Sequence, residues 1–356
     1  MALLYMDGFD AQDSALRWVQ SGSANEFTYG AMTRFGAGKA LTISTTNAAA
    51  SSYVTRGFAA SSSIYIGAAI QVGAEGAGND PSANLFGIYT DAGVNGHVYL
   101  RRLSTNTIAV YRGNPSTGDV NNPSGTQIAA SSAGVLDGNW HYMEVYAIIH
   151  DTTGRLIVKV DGVVVIDFTG DTRNGGTSMN IDAVRFRTGR YTGGSCAISI
   201  DDLYICDATG TTNNTFLGDV RVQTMLPNAA GSSTQFAPTG SANNWANVSE
   251  VPFNNTTYNA SSTVGQLDLY GLSDLTAGTT SVKGVQTVAH MQKSDAGTAN
   301  ARVALKSGGT VYYDATRSLG TSATPYTQIH ETDPSTSVAW TTGSINGLEA
   351  GVEVAS

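Results

Sequence analysis

The sequence predicts an all-β protein built from two consecutive sandwich domains. Apolar residues recur with a period of two along most of the chain, whereas the 3.6-residue period of amphipathic helices is nearly absent. Hydrophobic residues make up 41% of the chain and charged residues only 13%, and the other polar residues are mostly Gly, Ser, Thr and Asn. This composition favours short strands joined by turns over helices, whose solvent faces need Glu, Lys and Arg.

The clearest strand signals lie in the first half of the chain. Ile64, Ile66 and Ile70 are spaced by even numbers of residues, so they fall on one face of a predicted strand. The opposite face carries aromatic, small or polar residues. Two β-branched runs, at 156–160 and 163–166, flank the pair Asp161-Gly162. An Asp-Gly pair in this setting predicts a hairpin, because a type I′ turn needs positive φ at both central positions.

The domain boundary is predicted from length and composition. A chain of 356 residues exceeds the usual size of one domain. Residues 207–214 read Asp-Ala-Thr-Gly-Thr-Thr-Asn-Asn, a polar run without an apolar anchor. We therefore predict a first domain at 1–207, a linker at 208–214 and a second domain at 215–356.

Strand signals resume in the second half, at 220–223, 266–270, 285–291, 302–305 and 311–313. A long segment rich in Ser, Asn and Pro lies at 228–262 and contains four aromatic residues, Phe236, Trp245, Phe253 and Tyr258. Structureless loops of this length are uncommon, so we expect those aromatic side chains or a neighbouring subunit to fix it. Residues 344–350 are the best candidate for a short C-terminal helix, with Ser344 as N-cap.

Charge and hydropathy exclude several classes of partner. The formal net charge is −9 and Lys and Arg do not cluster, so we expect no binding to nucleic acid. No run of ~18 apolar residues occurs, so we expect no membrane insertion. The N-terminal residues lack the pattern of a signal peptide, which predicts synthesis in a bacterial cytoplasm. Cys196 and Cys206 lie too far apart on one extended run for a disulfide, so we expect both to be reduced.

Three runs in the first domain carry a family resemblance. Residues 138–142 (Gly-Asn-Trp-His-Tyr) lead into a strand, residues 158–162 (Val-Lys-Val-Asp-Gly) lead into its return strand, and residues 200–205 (Ile-Asp-Asp-Leu-Tyr-Ile) close the sheet. Their order and spacing resemble the concanavalin A-like, laminin-G-like jelly roll. The opening run at 6–10 (Met-Asp-Gly-Phe-Asp), followed by Arg17-Trp18, is similar to the start of jelly-roll proteins encoded in phage genomes.

The second domain resembles a β-sandwich module that recurs among virion proteins of tailed bacteriophages. The runs that carry this resemblance are residues 216–222, 244–250, 256–258, 268–270 and 331–352. The resemblance implies a location on the virion and partners among the other virion proteins, but it implies no chemistry. Copies of the chain itself are further expected partners, and we expect a homotrimer, the symmetry common among phage appendages.

No catalytic pattern is present in the sequence. Retaining glycosidases need two carboxyls about 5 Å apart, supplied on this fold by alternate acids of one strand. The nearest acidic pair, Asp201-Asp202, is adjacent, so we expect its side chains to point to opposite faces. Nucleophile-elbow, zinc-protease and phosphate-loop motifs are also absent. We therefore predict that the protein is not an enzyme, with a polysaccharide depolymerase as the remote alternative.

Calcium is the one cofactor that the jelly-roll resemblance implies, because laminin-G-like domains often hold an ion at the rim of the sandwich. The candidate ligands are Asp80, Asn84, Asp167, Asp171, Asp201 and Asp202. The alternative, which we favour, is that these side chains cap turns or are solvated.

Sugar binding on this fold needs exposed aromatic rings beside polar groups. Tyr89, Tyr111 and Tyr191 lie near loops rich in Asn and Gly, so they are the candidate ligand-binding residues. We expect Trp18 and Trp140 to belong to the core.

These observations predict a non-enzymatic structural component of a tailed-phage particle that contacts host-surface glycans. Tail-associated appendage and head decoration both remain open, with the tail favoured. The alternative is a carbohydrate-binding adhesin whose main role is host recognition.

Overall fold

A computed structural model describes residues 2–30, 34–35, 38–44, 51–73, 83–115, 124–175, 178–189 and 197–356. The chain forms antiparallel sheets and almost no helix, which confirms the predicted all-β fold class. It divides into two compact units. The first contains the residues up to Asp10 together with Arg17–Val222, and the second contains Ala11–Leu16 together with Gln223–Ser356.

The first unit is a two-sheet sandwich. Its strands are β1 (Leu3–Asp7), β2 (Val19–Ser21), β3 (Phe27–Gly30), β4 (Ala40–Ser44), β5 (Ser51–Ser61), β6 (Ser63–Val72), β7 (Ala83–Thr90), β8 (Asn95–Arg102), β9 (Ile108–Arg112), β10 (Thr126–Ala130), β11 (His141–Ile148), β12 (Gly154–Val160), β13 (Val163–Gly170), β14 (Ile181–Gly189) and β15 (Ala197–Asp207). A single 3₁₀ turn occurs at Ala24–Glu26. The one-turn helix α1 (Ser14–Arg17) has its first three residues in the segment that belongs to the second unit.

The two sheets face each other across one apolar core. An eight-stranded sheet has the order β13-β12-β11-β6-β15-β4-β3, with β1 also paired to β15, and a seven-stranded sheet has the order β10-β9-β8-β7-β14-β5-β2. Ile66 and Ile200 of the first sheet and Val98 and Val184 of the second belong to the same buried cluster. Full burial of such a side chain contributes roughly 1.5–3 kcal/mol. This core is therefore the main source of the first unit's stability.

The predicted hairpin at Asp161-Gly162 is confirmed. β12 and β13 pair antiparallel on either side of it. Asp161 has φ +50° and Gly162 has φ +79°, the two left-handed conformations that a type I′ turn requires.

A buried carboxylate organises the start of the first unit. Asp7 Oδ1 accepts hydrogen bonds from the backbone N–H of Phe9 and from Arg17, each 2.8 Å long. Asp7 Oδ2 accepts from the Tyr5 hydroxyl and from Trp18 Nε1, each at 2.9 Å. Trp18 is therefore a core residue, as predicted, and its indole N–H is satisfied.

The division between the units lies at Val222 and not in the predicted linker at 208–214. The residues after that polar run are fastened to the outer face of the eight-stranded sheet. Phe216 packs edge-on against Tyr65, with ring centroids 5.1 Å apart. Backbone N–H groups at 217, 218 and 222 donate to Tyr204 Oη (3.1 Å), Glu144 Oε1 (2.8 Å) and Asp202 Oδ1 (2.7 Å). These contacts extend the first unit by one further segment.

The second unit is built around a six-stranded sheet. Its strands are β16 (Pro227–Thr234), β17 (Ala237–Thr239), β18 (Tyr258–Ala260), β19 (Leu267–Leu272), β20 (Val285–Met291), β21 (Asn300–Ser307), β22 (Thr310–Tyr313), β23 (Arg317–Ser318), β24 (Thr324–His330) and β25 (Glu349–Val354), with a 3₁₀ turn at Asn244–Asn247 and helix α2 (Thr342–Asn346). The large sheet has the order β16-β19-β25-β21-β22, with β23 also paired to β21, and β17-β18 and β20-β24 form two-stranded sheets.

Two small clusters form the core of the second unit. One contains Leu305, Trp340, Ile345 and Leu348, and the other contains Met291, Ala301 and Val303. Most side chains of β20 and β24 are only partly buried. The second unit therefore buries much less apolar surface than the first.

A buried polar network holds part of the long segment predicted at 228–262. Asp268 is fully buried. Its Oδ1 accepts from the backbone N–H groups of Gln235 (2.6 Å) and Phe236 (2.9 Å). Its Oδ2 accepts from Asn244 Nδ2 (2.6 Å) and from the Tyr270 hydroxyl (3.1 Å). One of the four aromatic residues also packs, since Phe253 lies edge-on to His290 of β20 with ring centroids 4.5 Å apart. The carboxylate of Asp268 is the anchor that the sequence did not indicate.

The short C-terminal helix is confirmed, but its cap is not Ser344. α2 begins at Thr342, and the Thr341 side chain accepts from the backbone N–H of Ser344 at 3.1 Å. Thr341 has extended dihedrals, as an N-cap residue must, whereas Ser344 is the third helical residue. Both hydroxyl residues fit the cap consensus, and backbone conformation decides between them.

Two further expectations concern cysteines and membranes. Cys206 is a buried, reduced thiol, as predicted, and Cys196 lies outside the described residues. No helix among the described residues is long and apolar enough to cross a bilayer.

We expect Asp268→Asn to destabilise the second unit by about 2–3 kcal/mol, because one carboxylate oxygen becomes an NH₂ group that faces two donors. Urea unfolding and hydrogen exchange over residues 235–260 measure the effect. Asp274→Asn, on an exposed aspartate of the same unit, is the matched control. Equal protection of 235–260 in both variants would contradict this role of Asp268.

Candidate functional site

The best-formed concavity among the described residues lies at one end of the first unit's sandwich. Its cavity volume is about 420 Å³, within the range of small-ligand sites. We call it the rim pocket. Its lining residues are Arg112, Gly113, Asn114, Ser124, Gly125, Thr126, Asp151, Asp171, Arg173, Asn174 and Gly175.

One wall of the rim pocket comes from the ends of β9 and β10. β9 ends at Arg112, and β10 begins at Thr126, which pairs with Arg112. A Cβ at Gly125 would overlap the carbonyl oxygen of Arg112, so the two backbones approach as closely as they do only because glycine is present. The Tyr99 hydroxyl donates to the carbonyl of Ser124 at 2.7 Å. Burial raises the pKa of Tyr99 to about 12, which keeps this hydroxyl protonated.

The opposite wall comes from loops of the eight-stranded sheet. Asp171 follows β13, and its Oδ1 accepts from the backbone N–H of Arg173 at 3.1 Å. Its Oδ2 forms an ion pair with Arg112 across the pocket. Asp151 lies between β11 and β12 and pairs with Arg173 at 2.9 Å. Two carboxylate–guanidinium pairs therefore tie the strand ends together.

Two asparagine side chains are held against one glycine of β8. Asn114 Oδ1 accepts from the backbone N–H of Gly96 at 2.5 Å, and Asn174 Nδ2 donates to the carbonyl of the same glycine at 3.0 Å. Within the described part of the chain, Asn114 Nδ2 has no hydrogen-bond partner. This donor is therefore available to a ligand.

The rim pocket has the chemistry of a site for a hydroxyl-rich ligand. Every lining side chain is polar or charged, and the remaining lining residues are glycines. Guanidinium and amide N–H groups donate, carboxylates accept, and the hydroxyls of Ser124 and Thr126 do both. No aromatic ring occurs among the lining residues that the structure describes.

The predicted sugar-binding tyrosines are not placed for that role. Tyr89 is only 1% exposed, and its ring packs against the Arg185 guanidinium, 4.4 Å from ring centroid to Cζ. Tyr111 is 8% exposed and stacks on Tyr99, with ring centroids 5.3 Å apart. The prediction of exposed platforms at Tyr89 and Tyr111 is therefore wrong, because both rings are used in side-chain packing on the outer face of the seven-stranded sheet. Tyr191 lies outside the described residues.

Trp140 also differs from expectation. It is only partly buried, at the residue before β11, and so it is not a core residue. The next residue, His141, lies between Asp137 (2.9 Å) and Asp161 (2.7 Å). Hydrogen bonds to these carboxylates raise the pKa of His141 against the opposing effect of its burial.

The predicted calcium ligands do not converge. Asp80 lies outside the described residues, Asn84 is buried on β7, Asp167 pairs with Arg155, and Asp171 pairs with Arg112. No group of three His, Cys, Asp or Glu side chains in the described ranges is arranged to hold a metal ion. The two exposed aspartates neutralise arginines instead.

Asp201 and Asp202 occupy a β-bulge that abolishes the expected alternation. The register between β15 and β6 shifts after Asp201, and Asp202 has φ +51°. Asp201 Oδ1 accepts from the backbone N–H of Asp202 at 2.8 Å, and the charge of the Asp202 carboxylate raises the pKa of Asp201. The expectation that they point to opposite faces assumed regular strand geometry, which the left-handed residue breaks.

Burial shifts the titration of both acids. It raises the pKa of Asp201 to about 8, and the charge of Asp202 adds to the shift. It raises the pKa of Asp202 to about 6, against the hydrogen bond from Val222 and the charge of Arg34. Both carboxyls are enclosed within the first unit, with Asp201 7% and Asp202 2% exposed.

We expect the first unit to lose stability as pH rises from 5 to 9. Both acids bind their protons more tightly in the folded state than at their ordinary pKa of 3.8. The stabilisation is therefore present below pH 3.8 and is lost as pH rises through about 6 and about 8. His141, whose pKa is also raised, acts in the same direction.

The substitution Asp201→Asn removes the group that titrates at about pH 8, and with it the loss of stability at high pH. We therefore expect the unfolding free energy of this variant at pH 9 to exceed that of the unmodified chain by at least about 1 kcal/mol. Thermal unfolding across the pH range measures it. Asp91→Asn, on an exposed aspartate at φ +55°, is the control and should leave the slope unchanged. A gain of stability between pH 6 and pH 9 would contradict the assignment.

Sequence reasoning missed most of the rim pocket. Of its charged residues only Asp171 was a candidate, and it was assigned to calcium. Arg112, Asp151 and Arg173 carry no motif, because they come from the end of β9 and from two loops that only the folded sandwich brings together. The available signal is the turn-rich run at 171–175, Asp-Thr-Arg-Asn-Gly.

Comparison with known proteins finds similarity to solved structures but no matching family. No protein-family model and no curated protein matches the chain. Among solved structures, the chain is similar to the cellulose induced protein Cip1, with TM-score 0.42 and 12% identity over 61% of this chain and 100% of that one. It is also similar to a galectin-like protein of unknown function from Bacillus subtilis, with TM-score 0.38 and 10% identity over 58% and 96%.

A sialidase is a further similar structure, with TM-score 0.39 and 13% identity. The similarity covers 57% of this chain but only 18% of the sialidase. At these identities the likeness concerns the architecture of the sandwich and carries no information on activity.

Proposed function

We propose that the first unit is a non-catalytic glycan-binding domain and that the rim pocket is its binding site. The observation that carries this proposal is the described lining, in which polar side chains and glycines surround a cavity of about 420 Å³. Ligand sites for apolar molecules are lined mainly by hydrophobic and aromatic groups. A pocket without such groups suits a ligand whose surface is itself covered with hydroxyls.

The arrangement of the carboxylates supports a binding role over catalysis. Glycoside hydrolases need two carboxyls in contrasting environments, one kept protonated and one ionised. Asp151 and Asp171 have similar environments, since each is about half exposed and each faces a guanidinium. The rim pocket therefore lacks the asymmetry that acid–base chemistry on a glycoside requires.

We also propose that the chain is a structural component of a tailed-phage particle, assembled through its second unit with other virion proteins and with its own copies. The similarity of residues 216–352 to the phage module supports this proposal. The two small core clusters of the second unit are the physical support. A unit that buries so little apolar surface gains stability when neighbouring chains cover its partly exposed strands.

Gly175→Leu tests the glycan site. A Cβ at Gly175 meets no atom within 4 Å, so a leucine fills the pocket without disturbing the fold. We expect this full-chain variant to lose at least tenfold in affinity for host-envelope polysaccharide in a glycan-array or calorimetric assay. Gly320→Leu in the second unit, where a Cβ is also unhindered, is the matched control. Equal binding by both variants would remove the rim pocket from the proposal.

Light scattering of the purified full chain tests self-assembly, and we expect the mass of a trimer. Mass spectrometry of purified phage particles tests the location, and we expect the chain to be among the virion proteins. A monomer at all concentrations that is absent from particles would contradict the structural role. Release of reducing ends from polysaccharide would identify a depolymerase instead.

A further inference from the structure

The charges at the mouth of the rim pocket are not equally accessible. The side chains of Asp151 and Asp171 are 55% and 42% exposed. Their partners Arg173 and Arg112 are 23% and 28% exposed. An incoming ligand therefore meets carboxylates more than guanidinium groups, although the four described charges sum to zero.

The greater exposed fraction of the two carboxylates disfavours the binding of acidic sugars. A uronate or sialate carboxylate entering the pocket would approach two exposed negative charges. To reach Arg112 or Arg173 it would also have to displace an aspartate from an existing ion pair. Like charges brought together in a partly enclosed site cost free energy, and the arginines offer little in return because their charge is already neutralised.

Each ion pair presents a donor and an acceptor side by side. A carboxylate oxygen accepts a hydrogen bond from one sugar hydroxyl, while an N–H of the adjacent guanidinium donates to the next hydroxyl. Two neighbouring hydroxyls on a pyranose ring have this spacing and this dual capacity. The Arg112–Asp171 pair offers one such position, and Arg173–Asp151 offers a second.

The remaining lining groups extend the same pattern. Asn114 Nδ2 is a donor, and the Thr126 hydroxyl belongs to an exposed residue. Since the described lining residues offer polar groups and no aromatic ring, these polar contacts carry the recognition. Gly175, where a Cβ would meet no atom within 4 Å, leaves room for a sugar ring to approach the backbone.

We infer that the rim pocket binds an uncharged glycan through vicinal hydroxyl pairs, one at each carboxylate–guanidinium pair, and discriminates against acidic polysaccharides. The inference rests on the proposed glycan-binding function and specifies its ligand class. Asp151 and Asp171 determine the specificity, and Arg112 and Arg173 fix their orientation.

The test compares two panels of oligosaccharides with the full chain. The neutral panel contains mannan, dextran and galactan oligomers, and the acidic panel contains oligoalginate and oligogalacturonate. We expect binding to at least one neutral oligomer, at least tenfold weaker binding to every acidic one, and less than a twofold change for the neutral ligand between low and high salt. Binding confined to the acidic panel and weakened by salt would overturn the ligand class while leaving glycan binding intact. Absence of binding to both panels would overturn the proposed function itself.

Variants at Asp151 and Asp171 test whether these carboxylates determine the specificity, and a control shows that any loss of binding is not a loss of folding. We expect the double variant Asp151→Asn/Asp171→Asn to lose at least tenfold in affinity for the neutral ligand and to narrow the gap between neutral and acidic oligomers. Asp167→Asn is the matched control, because Asp167 is a similarly exposed aspartate paired with Arg155 but lies outside the pocket lining. Thermal unfolding at pH 7 verifies that both proteins are folded. An unchanged preference in the double variant would overturn the role of the two carboxylates.

Discussion

The apolar contact between the two sheets of the first unit is the constraint on which the rest of its structure depends. Every strand that contributes Val98, Ile200 or a similar side chain to the core must present its alternate residues outward, where they meet solvent or a covering segment. The strands must also end together at the rims. The rim pocket arises where β9 and β10 of one sheet end beside the loops after β11 and β13 of the other.

Buried carboxylates hold the segments that the apolar core does not. Asp7 joins the first strand to Trp18 and Arg17, Asp202 and Glu144 hold the segment that ends at Val222, and Asp268 orders the loops of the second unit. In each case the acceptor receives backbone or side-chain donors that would otherwise be unsatisfied. A chain with few charges thus buries several of its acids, and for Asp201 and Asp202 this is why we expect its stability to respond to pH.

The two units differ in the size of their hydrophobic cores. The first encloses a continuous core between sheets of eight and seven strands, whereas the second has two small clusters and many partly exposed strands. This contrast fits a protein in which one unit presents a ligand site and the other gains stability from assembly. The rim pocket, formed by ion pairs at strand ends, needs the rigid first sandwich beneath it.

The sequence by itself determined the all-β class, the Asp161-Gly162 turn, the core position of Trp18 and the C-terminal helix, because these depend on period-two patterning and local backbone preference. Only the tertiary structure decided that Tyr89 and Tyr111 are packed, that Asp202 lies in a bulge, that Thr341 caps α2, and that Arg112, Asp151 and Asp171 share one pocket. These outcomes depend on contacts between residues far apart in the chain. Local pattern carries no information about such contacts, since the pairing of side chains is fixed by sheet register and by where the strands end.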